Sequence, residues 1–583
     1  MAKSQLFATK SLEQVLKEES GGEHRLKRVL GPWALVALGV GAVIGAGIFV
    51  STGKAASETA GPALMISYML AGFACVMAAL CYAEFASMAP VAGSAYTYAY
   101  TTLGELFAWI IGWDLVLEYA VGAATVANGW SGYFQSVIGK IGLTLPFIFA
   151  GGPYNYDEGK LLPNTVGRYD SMVVAPKVVP YDDLTPELKA LTSADVKAEI
   201  ARNPKASEKP LVAVWVNTGN KAKHKDKPYA LSMYGDSAFE AKITDRQNAV
   251  VNIPAVMIAL IITIVLVKGI QESAWFNALM VAIKLAAVVF VICVGVFYIN
   301  PENYSPFAPY GWTGISFFGI PVHGQTNSGG QPIGMIAGAA IIFFAYIGFD
   351  AVSTQAEEAK NPKKDIPFGI IVSLIICTVL YIGVVAVLTG MVKYNMIDKD
   401  AGVSSAFKQI NLGWAEGFIS IAGVAGITSV LLVMMLSAPR VFLAMARDGL
   451  LPTKFFGDIH PKFQTPWKST IVVGVLVALA AGLLPIDALL LLTNIGTLFA
   501  FVIVCGAVLV MRRTNPNAER PFRCPMVPVV PLLGIILCLT MMFSLPVDNW
   551  WRLIAWLAIG LVVYFLYGKH HSKLKQRMDA GQA

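Results

Sequence analysis

Charge is what this 583-residue chain has least of: Asp, Glu, Lys and Arg together make up 14% of it, against about 25% in soluble domains. With 56% hydrophobic residues and a mean hydropathy of +0.61, that shortage excludes an ordinary soluble globule and points to a polytopic membrane protein. Histidine is rarer still. All six (His24, His224, His323, His460, His570 and His571) lie outside the apolar runs, which excludes a histidine metal centre within the membrane. The seven cysteines lack metal or disulfide spacing: Cys75, Cys81, Cys293, Cys377, Cys505 and Cys538 fall within or at the ends of apolar segments, and Cys524 lies in a basic loop. No nucleophile, base and orienting group come together in the spans, so an enzyme is the least supported class. A secretory signal is missing too, because residues 1–31 are mixed in charge and have neither a short apolar core nor a cleavage site. The first apolar run therefore reads as a retained span.

What is present is apolar length. A bilayer core of about 30 Å needs roughly 20 apolar residues per helix, and twelve runs qualify: 32–54, 62–84, 104–136, 249–267, 274–299, 333–357, 367–391, 413–440, 468–485, 487–511, 527–545 and 550–568. The net charge of +7 implies no nucleic-acid partner, because the basic residues lie mostly in short loops, where they set topology. Loops 6/7 (Lys360, Lys363, Lys364), 8/9 (Arg447, Lys454, Lys462) and 10/11 (Arg512, Arg513, Arg520, Arg523) are basic, as is the tail. The loop between Asn300 and Gly330 has no Lys or Arg. Both termini are therefore expected in the cytoplasm, as an even number of spans requires. The expected organisation is a cytoplasmic segment 1–31, a transmembrane domain 32–568, an extracytoplasmic insert 145–248 between spans 3 and 4, and a cytoplasmic tail 569–583. Within the insert, "DLTPELKALTSADVKAEIARNP" (183–204) predicts a capped amphipathic helix and "PLVAVWV" (210–216) a strand.

The first span carries "GVGAVIGAGIFVSTG" (39–53), although a glycine within a helix costs about 1 kcal/mol relative to alanine. A phosphate-binding loop is the weakest account, since no strand precedes it and Lys54 does not complete a GxxxxGK[ST] pattern. Gly41 and Gly45 form a GxxxG, which suits close helix packing. The third account is a discontinuous helix, whose unwound backbone near mid-membrane points N–H groups at an anionic group. This account requires a second break in another span. Span 6, "AGAAIIFFAYIGFDAVSTQAEEAKNP", supplies one at Gly348 and Asp350. Spans 1–5 would enter from inside and spans 6–10 from outside, as an inverted five-plus-five repeat requires, so discontinuous helices become the favoured reading.

Ionisable residues inside spans are functional candidates. Lys284 in span 5 lies about 14 Å from its inner end, too deep for comfortable snorkelling, and an amine there could take and lose a proton as a cavity opens to each side. Span 3 carries Asp114 and Glu118 at i, i+4, on one helix face. Asp114 suits a structural hydrogen-bond acceptor. Glu118 suits either a cationic substrate or coupling to Lys284, beside the plainer reading of a neutral brace. Met434 in span 8 reads as ordinary packing.

"GVGAVIGAGIF", "LCYAEFASMAPVAGSAYTY", "FFAYIGFDAVSTQAEEAKNPKKDIP" and "LFAFVIVCGAVLVMRR" followed by "RPFRCP" closely resemble the amino acid–polyamine–organocation superfamily, in its cationic amino acid transporter branch. The resemblance runs from about residue 25 to 568 apart from the insert. It implies an all-α leucine-transporter-type fold with discontinuous helices 1 and 6. By resemblance, Ile44, Gly45, Ala46 and Gly47 match the substrate carboxylate site. The carbonyls of Phe344, Ala345 and Ile347 match the amine site, and Phe344 the gate of the pocket. Lys284 matches the helix 5 lysine that stands in place of a sodium ion in proton-coupled relatives. Glu118 matches an acidic side chain near the pocket, and Met434 a position that limits its length. Met434 is bulky, and Ala46 replaces a frequent hydroxyl residue. Both departures from a cationic pattern leave small neutral amino acids as plausible as arginine or lysine.

The expected function is import of L-amino acids by proton symport with alternating access, in the inner or plasma membrane. The proton is the coupling ion, with no cofactor or metal. The partners are the amino acid and the bilayer. An exchanger of the same fold, or a non-transporting amino acid receptor, are the alternatives.

Overall fold

The structure, a computed structural model, describes residues 5–11, 14, 30–91, 93–157, 160–169, 171–173, 179–180, 201–202, 210–216, 230–233, 243–269, 273–318, 320–327, 330–398 and 402–580. It divides into two compact units, one of Met1–Leu145, Asn155–Leu162 and Asn252–Ala583, the other of Pro146–Tyr154 and Pro163–Val251.

In the first unit the apolar runs form α1 (Pro32–Val43), α2 (Leu64–Met88), α3 (Glu105–Lys140), α4 (Ile253–Lys268), α5 (Ser273–Gly295), α6 (Met335–Ile342), α7 (Pro362–Met391), α8 (Gly413–Arg447), α9 (Trp467–Leu483), α10 (Ile486–Thr514), α11 (Val529–Phe543) and α12 (Val547–Val563). Among the described residues, eight helical stretches are long and apolar enough to cross a membrane. One of them, Pro32–Met88, holds both α1 and α2, while α4, α9 and α11 are apolar but shorter. Prolines mark several starts. Pro32, Pro254 and Pro362 sit in the first turns of α1, α4 and α7, where the missing N–H has no intrahelical acceptor to lose. Asn252 also caps α4, its side chain accepting from the Ala255 N–H at 3.3 Å.

Helices five apart in chain order pack on one another: α2 along α7, α3 along α8 and α4 along α9. Their inner faces bury Tyr68, Tyr82, Tyr119 and Tyr381. Their outer faces leave large apolar side chains such as Phe73, Ile375 and Val379 exposed, which a helix surrounded by lipid tolerates.

Both ends of the chain converge on α3. Glu105, fully buried at its first residue, accepts from Gln5 Nε2 at 3.0 Å, Tyr100 OH at 2.9 Å and Tyr564 OH at 2.9 Å. Ser572 Oγ donates to the same carboxylate. Beside it Lys10 pairs with Asp448 at 2.6 Å, and Tyr96 OH donates to that carboxylate at 2.7 Å.

The second unit contains β1 (Thr165–Tyr169), β2 (Ser171–Val173), β3 (Val179–Pro180), β4 (Pro210–Val216), β5 (Ala230–Met233) and β6 (Ile243–Asn248). β1 pairs antiparallel with β6, from Thr165 opposite Asn248 to Tyr169 opposite Ile243. The segment read as a strand, "PLVAVWV", is β4, which pairs antiparallel with β2, β3 and β5. Of the amphipathic helix expected over 183–204, only Ala201 and Arg202, both helical, are described, and the rest lies outside the described residues.

Candidate functional site

The two glycine-interrupted spans are both broken, and the breaks face each other. α1 stops at Val43. Ile44 turns extended at ψ 103°, and the chain resumes at Gly47 in wide helical turns that run to Ala60. α6 stops at Ile342, tightens into a 3-10 turn over Phe343–Tyr346, is extended at Ile347 (ψ 136°) and resumes at Asp350–Glu358. The contact is reciprocal. A Cβ on Gly47 would lie 2.2 Å from the Ala345 Cα, and one on Gly348, whose φ is +111°, would lie 2.9 Å from the Ala42 carbonyl oxygen. Glycine is required at both places, by close backbone approach and at Gly348 also by a φ that side chains disfavour.

A broken helix leaves polar backbone groups without intrahelical partners. After α1, the Gly45 and Ala46 N–H groups form no hydrogen bond with another described residue. The carbonyls on the other side of that break are taken by Lys284. Its Nζ, fully buried, donates to Gly41 O, to Ile44 O at 2.8 Å and to Ser429 Oγ at 2.9 Å. Ser429 in turn donates toward Gly41 O at 3.2 Å. An amine thus sits at the C-terminal end of α1, where the helix dipole favours its charged form. After α6, the Phe344 carbonyl accepts from the Ile347 N–H at 3.2 Å. Tyr381 OH lies 2.8 Å from Val43 O and 3.0 Å from Ala345 O, so it ties the two breaks together. Asn494 Nδ2 donates to Ala340 O and Ile341 O at 2.9 and 3.0 Å.

All the residues singled out for substrate and proton are buried: Ile44, Gly45, Ala46, Gly47, Phe344, Ala345, Ile347, Lys284, Glu118 and Met434. The first eight gather at the paired breaks. Met434, on α8, has its Sδ 3.1 Å from where a Cβ on Gly122 of α3 would be, with Thr493 against the same point. Glu118 belongs to a different cluster. It neighbours Asp114, Asp350 and Thr497, and neither of its oxygens, nor either of Asp114's, has a hydrogen-bond partner among the described residues. Tyr119 OH donates to Asp350. Lys284 therefore pairs with backbone and a serine rather than with Glu118, and Asp114 is not the hydrogen-bond acceptor its place suggested. Among the described residues, no group of three or more His, Cys, Asp or Glu side chains is arranged to hold a metal ion.

Tyr381, Ser429 and Asn494 were not legible as site residues. Each is a neutral polar side chain in an apolar run, without spacing to mark it, and its role exists only once its helix lies against the broken ones.

Closure beyond the breaks uses charge. Arg440 of α8 pairs with Glu358 and donates to Gln355, both in the second half of the broken sixth span. The Leu30 N–H donates to Glu358 O at 3.0 Å and the Lys360 N–H to Leu30 O at 2.8 Å, which draws in the entry to α1. Toward the other end, Lys54 pairs with Asp487 at 2.8 Å, and Tyr133 OH donates to Phe49 O at 2.8 Å.

The sequence profile of the family described as "Amino acid permease" matches residues 30–564. A branched-chain amino acid permease, BcaP, of Bacillus subtilis is 39% identical over 575 residues, covering 98% of this chain and all of the relative. A methylthioribose transporter of the same organism is 38% identical over 573 residues, with the same coverage. The vacuolar cationic amino acid transporter 4 of Arabidopsis thaliana is 33% identical over 515 residues, 88% of this chain and 68% of the relative.

Proposed function

The chain belongs to the amino acid permease family of the amino acid–polyamine–organocation superfamily, a multi-pass membrane protein, and from that premise we propose that it imports L-amino acids across the plasma membrane by proton symport. In this reading twelve spans cross the membrane with both termini in the cytoplasm, and spans 1–5 and 6–10 form inverted repeats. The packing of α2 on α7, α3 on α8 and α4 on α9 supports it, as does the meeting of Gln5 and Ser572 on one carboxylate, which suits an arrangement with both ends on one side.

The observation that carries the proposal is the pair of facing breaks. The N–H groups of Gly45 and Ala46, with Ile44 and Gly47 around them, receive the substrate carboxylate. The carbonyls of Phe344, Ala345 and Ile347 receive its ammonium. Lys284 supplies the coupling. Protonated, it offers three N–H donors to Gly41 O, Ile44 O and Ser429 Oγ. Deprotonated, it has two donors and no charge at the end of α1, and the half-helix is free to move. Met434 against Gly122 and Thr493 shortens the side-chain end of the pocket, which favours neutral over cationic side chains. That agrees with a full-length relative named for branched-chain amino acids. Asp114 and Glu118 line the inner flank as a buried acidic pair.

Proteoliposomes with an imposed inward proton gradient should accumulate labelled leucine or alanine without Na⁺. Uptake that needs Na⁺ and ignores pH overturns the coupling, and uptake only against preloaded amino acid makes the protein an exchanger. Competition by methylthioribose tests the substrate class named for the second full-length relative.

A further inference from the structure

A cleft of about 280 Å³ lies away from the breaks, where the start of α1 meets the start of α7. It is lined by Pro32, Trp33, Lys364, Asp365 and Phe368. Two features make it unlike a merely rough surface. Trp33 is 68% exposed and Phe368 38% exposed, and their rings meet edge to face at 5.5 Å, leaving an aromatic wall open to the surroundings at the first turn of a membrane helix. Indole and phenyl rings so placed belong at the level of lipid headgroups.

The second feature is charge. Lys364 lines the cleft, and Lys360 and Lys363, close to it in sequence, are exposed as well; among the described residues Lys363 makes a long pair, 3.7 Å, with the exposed Glu519. The lining also holds one carboxylate, Asp365, which is buried and accepts the Asn361 N–H at 3.0 Å; with three lysines close in sequence, the positive charges outnumber it. Glu358 is likewise committed to Arg440. The cleft thus offers a cation at one end and an aromatic wall beside it. We infer that it holds the headgroup of an anionic phospholipid, with Lys364 on the phosphate and the acyl chains against Trp33 and Phe368. A free phosphate would use the lysine and leave the rings uncovered, whereas a zwitterionic lipid would cover the rings and gain little from the lysines. A lipid seated there touches both α1, the half-helix that ends at the substrate site, and α7, which carries Tyr381, and so favours the conformation in which the two are together.

The test uses the purified full-length protein in neutral detergent and reads its melting temperature as lipid is titrated in, since a ligand of the folded state raises it. Phosphatidylglycerol should raise it by several degrees, while phosphatidylcholine of the same acyl chains and glycerol 3-phosphate should not. Lys364→Gln, an exposed change, should melt normally without lipid and weaken the phosphatidylglycerol response roughly fivefold, the value of one lysine at an anionic surface. Lys393→Gln, exposed at the other end of α7, should leave the response intact. Three results overturn the inference: equal shifts with phosphatidylcholine, equal shifts with glycerol 3-phosphate, or a phosphatidylglycerol response that Lys364→Gln does not change.

Discussion

At the break after α1 two of the loose carbonyls are held by a lysine; at the break after α6 they are held by a carboxamide, a neighbouring N–H and a phenol that also reaches the Val43 carbonyl of the first break. The two breaks share a reciprocal glycine contact, yet only one is held by a group that changes charge. Tyr381 and Asn494 keep their donors across the physiological range, while an amine loses both a donor and its charge on deprotonation. Two similar backbone interruptions can therefore do different work. In the proposed transport cycle the first acts as a hinge whose hold can be released, and the second as a rim against which it closes.

The sharpest way to break that comparison is to remove the contact common to both sides. Gly47→Ala places a methyl 2.2 Å from the Ala345 Cα, so the breaks must separate, and uptake should fall to background while the protein still inserts and purifies as a single species. Near-normal uptake would mean that the breaks need not touch. Next is the releasable side. Lys284→Ala should abolish accumulation driven by a pH gradient, yet keep amino acid binding, read by thermal shift, within about tenfold, a coupling-sized change; gradient-driven uptake that survives it removes the lysine from the mechanism. The fixed rim should respond more mildly. Tyr381→Phe strips a hydroxyl from two buried carbonyls, worth about 1–3 kcal/mol, and should slow uptake without altering its pH dependence. A changed pH profile would put the tyrosine in the proton path. The smallest effect on rate is expected from Met434→Ala. It should cost about 2–5 kcal/mol of stability but extend the accepted side chains toward lysine or arginine in a competition assay.

Much of the architecture was legible because apolar length and punctuation coincide. Pro32 and Pro362 open helices where their lack of an N–H is harmless, and Gly45 to Gly47 and Gly348 fall at or beside the interruptions. The glycines were readable for a physical reason: close helix packing accounts for some of them, but two spans interrupted at corresponding places point to broken helices. The depth of Lys284 was readable too, as it follows from counting residues. Its partners were not. That Lys284 would meet Gly41 and Ile44 carbonyls rather than Glu118 depends on which face of α5 turns toward α1, and an apolar helix with no polar side carries no mark of its rotation. The same blindness hid Tyr381, and it misjudged Asp114, whose carboxylate packs against Gly496 instead of a donor.

The buried carboxylate of Glu105 bears on how the molecule is made. Its four donors come from both ends of the chain: Gln5 and Tyr100 are synthesised before it, and Tyr564 and Ser572 follow it by 459 and 467 residues. Until the last helix has been threaded and turned back, that carboxylate lacks two of its four donors and part of the cover that buries it, so packing at the start of α3 is completed only when the end of the chain arrives. A chain without its last helix would leave that carboxylate to Gln5 and Tyr100 alone.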